Sequence, residues 1–402
     1  MSAGTRVFDY PEQRTLEDAA FEREVVPTQL HSLLMPVWKV TVRATVVDAA
    51  DYDLIDRYLS RGIAEAALST TDELAAFFAL EPPLVDRALR ALAAVGHLGH
   101  TDGRWWLTEI GLRSVRDGLR YEVAHEDRRE LYFDGYASRP LTKVCYDSRK
   151  VTLLPPDELP GGGRFHTLFT RWSFDPAALP ALSGHPDRAR FNLPDRIDDP
   201  HLLGPPELAY LPLIVVRGVS RSGATRYLAY SQAVGEADPD LGALVESTPD
   251  VVGVLEQEQA SASPDVAEKR AREWVDRYDL SGHRLVRLPG GLLRVVLPAG
   301  HFGPEGALPW HRLGSFVVRG SGFFQPWCED VRARRKALLH RVRALLGTRS
   351  RVDGARTWAR VERVARQLDV GDLDPAGLRE LAVRAGDRVL VARWDEWVRE
   401  SR

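Results

Sequence analysis

The stretch from Asp53 to Val115 constrains this chain more than any other, because its apolar period changes within about sixty residues and each change carries its own stop signal. Just before it, apolar and polar residues alternate strictly from Trp38 to Val46, which predicts a half-buried strand bounded by Pro36 and Asp48. From Asp51 the period becomes helical, with Leu54, Ile55, Tyr58, Leu59 and Ile63 on one face and Gly62 interrupting near its end. Thr70 followed three residues later by Glu73 is a capping box that opens a second helix through Leu74 and Phe78. Leu80-Glu81-Pro82-Pro83 turns the chain, since a proline drives the residue before it out of the helical region. Leu84, Val85, Leu89, Leu92 and Val95 then repeat at helical spacing up to Gly96. Asp102-Gly103 is a two-residue hairpin signal, and folding about it sets Leu98 opposite Leu107, Gly99 opposite Trp106 and His100 opposite Trp105. Thr108 caps a last helix from Glu109 to Val115.

Helix, helix, turn, helix, hairpin is the order of a winged helix-turn-helix. Asp72-Glu73-Leu74-Ala75, Val85-Asp86-Arg87-Ala88-Leu89-Arg90-Ala91-Leu92 and Trp106-Leu107-Thr108-Glu109-Ile110-Gly111 resemble that superfamily. The resemblance covers about an eighth of the chain, from Ser69 to Val115. It is similar both to bacterial winged-helix regulators and to the N-terminal dimerisation domain of small-molecule O-methyltransferases. The first likeness implies that the outward residues of the third helix, Asp86, Arg87 and Arg90, meet the major groove, and that Arg104 at the wing meets a phosphate or the minor groove. The second implies a contact with a protein partner or a second copy.

The 402 residues exceed one ordinary core, so several units are expected. A hydrophobic share of 44% with 28% charged residues is that of a soluble globular chain. No apolar run reaches the roughly 18 residues that span a bilayer, and Asp9, Glu12, Glu17 and Asp18 replace the basic start of a leader, so a cytoplasmic location without a membrane partner is expected. Cys145 and Cys328 are too few for a disulfide framework or a four-ligand zinc site, and free thiols are expected. The net charge of -3 requires that any grip on phosphates come from a local patch. Arginine greatly outnumbers lysine, a usage that a GC-rich bacterial genome explains as well as phosphate binding does.

The expected class is α+β and multi-domain, divided by composition into five segments. Residues 1–48 are an N-terminal arm and strand, 49–120 the winged helix, and 121–205 a connecting region with a charge run at Glu126 to Glu130, read as a solvated helix end. Its Pro, Gly and Asp content, including Gly161-Gly162-Gly163, predicts long loops. Residues 206–320 alternate strands and helices, with hairpins about Ser222-Gly223 and Pro289-Gly290-Gly291, a helix capped by Ser263-Pro264-Asp265 and an edge strand near Gly314 to Val318. This segment is expected to be an antiparallel α+β domain. Residues 321–402 are helical and basic; between Val331 and Leu368, over the first two expected helices, acids are sparse, chiefly Asp353 and Glu362.

Two arginines on the third helix are thin equipment, because affinity for nucleic acid grows with the number of phosphates neutralised. The winged helix alone is expected to bind DNA weakly unless it dimerises or borrows the C-terminal basic helices, where Arg334, Arg335 and Arg341 are the candidate phosphate ligands. Trp327, Trp358, Trp394 and Trp397 lie near these arginines, at spacings that favour a core role over base stacking. No catalytic residue, cofactor site or metal site is expected. His97 and His100 lack a third ligand, and no P-loop, nucleophile elbow or metalloprotease helix occurs. The leading reading is non-enzymatic nucleic-acid binding, followed by an interaction module of a protein assembly. A third is an enzyme: a metal-dependent nuclease built on Asp250, Glu256 and Glu258, or a divergent methyltransferase whose glycine turn would have to be Gly161-Gly162-Gly163. Glu268-Lys269 falls on an expected helix as a surface pair.

Overall fold

The computed structural model describes residues 12–46, 49–121, 125–161, 165–194, 197–233, 235–261, 265–319, 322–347 and 354–400. Gly162, Gly163, Ser263, Pro264 and Asp353, which the sequence singles out, lie outside the described residues. In chain order the first elements are α1 (Glu12–Phe21), β1 (Val25–Val46), β2 (Ala49–Asp51), α2 (Leu54–Ala66), α3 (Thr71–Phe78) and α4 (Pro82–Ala94). Next come β3 (Leu98–Thr101), β4 (Arg104–Leu107), α5 (Glu109–Asp117), β5 (Leu119–Tyr121), β6 (His125–Asp134), β7 (His166–Thr167), α6 (Ala178–Ser183) and β8 (Ile197–Leu202). They are followed by β9 (Glu207–Ser220), β10 (Thr225–Tyr230), α7 (Pro239–Glu246), α8 (Pro249–Ser261), α9 (Asp265–Arg277), β11 (Arg284–Arg287) and β12 (Leu293–Val296). The chain ends with β13 (Val317–Arg319), β14 (Gly322–Trp327), α10 (Val331–Gly347), α11 (Gly354–Gln367), α12 (Pro375–Arg384) and α13 (Arg388–Glu400). Helices and sheets together make an α+β chain, and among the described residues no helix is long and apolar enough to cross a membrane.

Internal contacts divide the chain into two units, neither of them continuous in sequence: 1–36 with 144–171 and 209–402, and 37–143 with 172–208. These boundaries differ from the five compositional segments because strand pairing recruits distant stretches. β1 is longer than the alternation predicts and passes through Pro36, which falls where its partners change. A proline has no N–H to offer a ladder, so a change of partner is a position that tolerates one.

In the unit containing 37–143, β1 from Val37 onward pairs antiparallel with β6, in a register running from Val37 opposite Asp134 to Val46 opposite His125. Here the expectation of a helix end at Glu126 to Glu130 is corrected: the run belongs to strand β6. Its charges are met across and along the sheet, Glu130 by Lys39 at 2.7 Å and Glu126 by Arg43 at 3.8 Å and Arg128 at 2.9 Å. Val40, Val42, Leu131 and Phe133 pack on Phe174 and on Leu179 and Leu182 of α6.

Residues 49–121 form a helix and hairpin module closed at its base by β2 and β5, with Ala49 opposite Tyr121. Local signals account for its outline. Asp53 caps α2 through Ile55 N, the Thr70–Glu73 capping box opens α3, and Thr108 caps α5. Asp102 and Gly103 both have positive φ, 50° and 74°, as the turn of a two-residue hairpin requires, and the strands pair in the expected register. Leu59, Leu74, Val85, Leu89, Leu92, Leu98 and Trp105 fill the core. Gly111 lets α5 approach the start of the hairpin, since a Cβ there would lie 2.2 Å from His97 O.

The other unit corrects the N-terminal arm. Residues from Glu12 form α1, whose Leu16 and Ala19 are fully buried among Leu30, Ile214, Val216, Tyr230, Phe316 and Phe323. β1 up to Pro36 lies beside β9, which pairs antiparallel with β10, and β7 joins β1 in parallel. A second sheet has the order β11-β12-β14-β13. Its β14 lies in the segment expected to be helical and pairs parallel with β12, where antiparallel pairing was expected for 206–320, while β13 pairs antiparallel with β14 and takes the edge. Trp274, Leu293, Val295 and Phe324 of this half share a core with Ala337, Leu338 and Val342 of α10 and with Val361, Leu378 and Trp394.

Candidate nucleic-acid interface

α4 begins with Pro82 and Pro83, which have no N–H to satisfy at a helix start, and ends at Ala94, with Val95 as its C-cap before Gly96 turns the chain with φ 82°. Its apolar residues at i, i+4 and i+7, Val85, Leu89 and Leu92, are buried. The opposite side carries Arg87 and Arg90, both exposed. Arg87 has no carboxylate partner among the described residues. Arg90 Nε donates to Asp86 Oδ2 at 2.8 Å, one turn away. An exposed pair of this kind contributes at most about 1 kcal/mol, so a phosphate can displace the carboxylate.

At the hairpin, Arg104 is exposed and likewise lacks a carboxylate partner among the described residues. Arg104 and Trp106 lie two residues apart on one side of β4, with Gly99 opposite Trp106. The indole lies against Gly99, where a Cβ would meet its ring at 2.4 Å, and remains 47% exposed. Trp105 faces the other way. It is buried, stacks on His100 with ring centroids 4.1 Å apart, and donates from Nε1 to Thr71 Oγ1 at 3.2 Å.

The module also exposes large apolar side chains, among them Leu54 and Tyr58 on α2, Phe77 on α3 and Leu112 on α5. Tyr58, Phe78 and Phe77 form a chain of ring contacts along one edge. Within residues 49–121 acids outnumber bases, and arginines also lie on α2 and α5, among them the exposed Arg57.

His97 is fully buried, with Nε2 against Tyr121 O and Nδ1 against Tyr52 Oη at 3.4 Å. Its ring nitrogens are therefore committed within the module, whereas His100 stacks on Trp105.

The C-terminal arginines divide. Arg335 is exposed. Arg334 and Arg341 are corrected from phosphate ligands to internal braces. Arg334 is 8% exposed, and its Nη1 donates to Leu368 O at 3.1 Å and to Asp369 O and Oδ2. Arg341 donates to Gln367 Oε1 at 2.8 Å, His311 O at 2.7 Å, Leu313 O and Ser315 Oγ. Burial pushes its guanidinium down to about 10, which leaves it charged at neutral pH. The helical pattern misled because an arginine on an amphipathic helix gives no sign of whether carbonyls await it. Of the four nearby tryptophans, Trp327 and Trp394 are buried, Trp358 meets Trp394 edge-on, and Trp397 packs on Trp394 with ring centroids 4.6 Å apart.

The acids weighed for a nuclease do not meet. Asp250, Glu256 and Glu258 all lie on α8, where Asp250 is exposed. Glu256 holds Arg217 through two contacts, 2.8 and 3.1 Å, and accepts from Tyr227 Oη. The hydrogen bonds from Arg217 lower its pKa, while burial, and then the bond to Glu256, pushes Tyr227 up to about 12. Glu258 receives His31 Nδ1 at 2.8 Å and His166 Nδ1 at 3.1 Å. Burial holds His31 below its ordinary value despite this carboxylate. Glu268 pairs with Arg287 at 3.0 Å. This polar cluster had no sequence signal, since its members come from β1, β7, β9, β10 and α8.

No protein-family model, curated protein or solved structure matches this chain.

Proposed function

We propose that residues 49–121 are a winged helix and that the protein is a non-enzymatic nucleic-acid-binding protein, using Arg87 and Arg90 of α4 and Arg104 of the hairpin. The observation that carries this reading is the orientation of α4. Its apolar stripe is spent on the module core, and the two arginines are left exposed on the helix that follows the proline turn. Arg104 adds an unpaired charge at the adjoining hairpin. Binding through these three groups is weak and strongly salt-dependent, because few phosphates are neutralised. The test is a titration of duplex DNA at several salt concentrations with the intact chain and with Arg87→Ala/Arg90→Ala. The expected result is a loss of roughly tenfold or more in affinity at low salt. Equal affinities, or no binding by the intact chain at low salt, reject the reading.

A second reading, a protein-interaction module, is favoured by the exposed Leu54, Tyr58, Phe77 and Leu112 and by the excess of acids in the module. Stoichiometric co-purification of a protein without nucleic acid supports it over the first.

A further inference from the structure

α10 carries a basic face that its own unit engages only at one end, through Arg343. Arg332, Arg335, Lys336, His340 and Arg343 recur at helical spacing along one side, and all five are exposed. They extend over about 16 Å of helix. No acid occurs between Val331 and Gly347. Arg332, Arg335 and Lys336 have no carboxylate partner among the described residues, and Arg343 alone leans on one, Asp387, at 3.7 Å. Glu329, just before the helix, is taken by Arg284 at 2.7 Å. The other side of α10 is committed, with Ala333, Ala337, Leu338 and Val342 in the core and Arg334 and Arg341 braced on carbonyls, while Leu339, which lies between Arg335 and Arg343 on the basic side, is buried as well.

We infer that this face is a sequence-independent binding surface for the phosphodiester backbone of nucleic acid. Charge complementarity selects a polyanion, and the chemistry of the face selects which one. A helix that binds an anionic membrane needs exposed apolar residues to insert beside its basic ones, and between Arg332 and Arg343 every large apolar side chain is buried. The absence of Asn and Gln from α10 leaves contacts to phosphate rather than to base edges. The inference rests on the nucleic-acid reading above for the kind of ligand, but it concerns separate residues.

The experiment compares the full chain with Arg332→Gln/Arg335→Gln/Lys336→Gln on random-sequence duplex DNA of about 30 base pairs over a range of salt. All three positions are exposed, so thermal melts are expected to coincide. The expected result is that the slope of log K against log salt becomes shallower by about 2 to 3, while Arg87→Ala/Arg90→Ala keeps the α10 share. Unchanged slopes in the triple variant overturn the inference even where the α4 variant loses affinity. The opposite pattern, loss only in the triple variant, rejects the α4 reading and leaves this one standing. Equal or tighter binding to phosphatidylserine vesicles, lost in the same variant, assigns the face to lipid and also overturns it. No binding of DNA by the intact chain at low salt rejects both.

Discussion

Arg335 and Arg341 share one helix and face opposite environments. Arg341 satisfies three loop oxygens and an amide, so its removal strands buried acceptors, each costing about 1–3 kcal/mol. Arg341→Ala is predicted to lower the unfolding free energy by roughly 2–4 kcal/mol, read by urea denaturation, whereas Arg335→Gln stays within about 0.5 kcal/mol. Equal effects would place Arg341 at the surface after all. His31 supplies a pH dependence. Its folded value lies below the ordinary 6.5 because burial penalises the charged imidazole. The unfolded chain therefore binds the proton more readily, and stability present above about pH 6.5 is lost as the pH falls through the folded value. His31→Gln is predicted to flatten that decline in denaturation curves recorded between about pH 5 and 8. Parallel curves for the two proteins would mean that His31 does not titrate as described.

At the scale of elements, the module is where local chemistry decides most. Capping residues, a proline turn and a turn dipeptide requiring positive φ each act within four residues, and the helices and hairpin of 49–121 follow them closely. One close approach was not legible: nothing near Gly111 announces that His97 O will lie where a Cβ would be. Gly111→Ala is predicted to destabilise the protein by about 2 kcal/mol or more, since the obstacle is backbone and cannot rotate away. A melting temperature equal to that of the unsubstituted chain would contradict the packing of α5. Elements outside the module depended on partners far away in sequence. The charge run of β6 is a strand through its antiparallel pairing with β1, where Lys39 and Arg43 reach Glu130 and Glu126 diagonally. Similarly, α1 looked like an arm because its mixed charge hides Leu16 and Ala19, whose burial comes mostly from distant residues such as Tyr230, Phe316 and Phe323.

For the whole molecule, the α+β class and the sheet hairpins were legible, while the two discontinuous units were not, because composition changes along the chain but pairing does not follow it. The candidate contacts fared unevenly for the same reason. Arg87, Arg90, Arg104 and Arg335 are exposed, as a helical or hairpin period can indicate, and Arg334 and Arg341 are committed to oxygens that no period reveals. Acids outnumber bases in the module, so the proposed binding depends on where positive charge is exposed rather than on how much there is. The central claim is that α4 and the hairpin touch nucleic acid. Hydrogen–deuterium exchange of the full chain, with and without saturating random-sequence duplex DNA at low salt, tests it most directly. Slowed exchange is expected in peptides covering Pro82 to Leu107. DNA binding that leaves those peptides unchanged, or no binding at all, would contradict it.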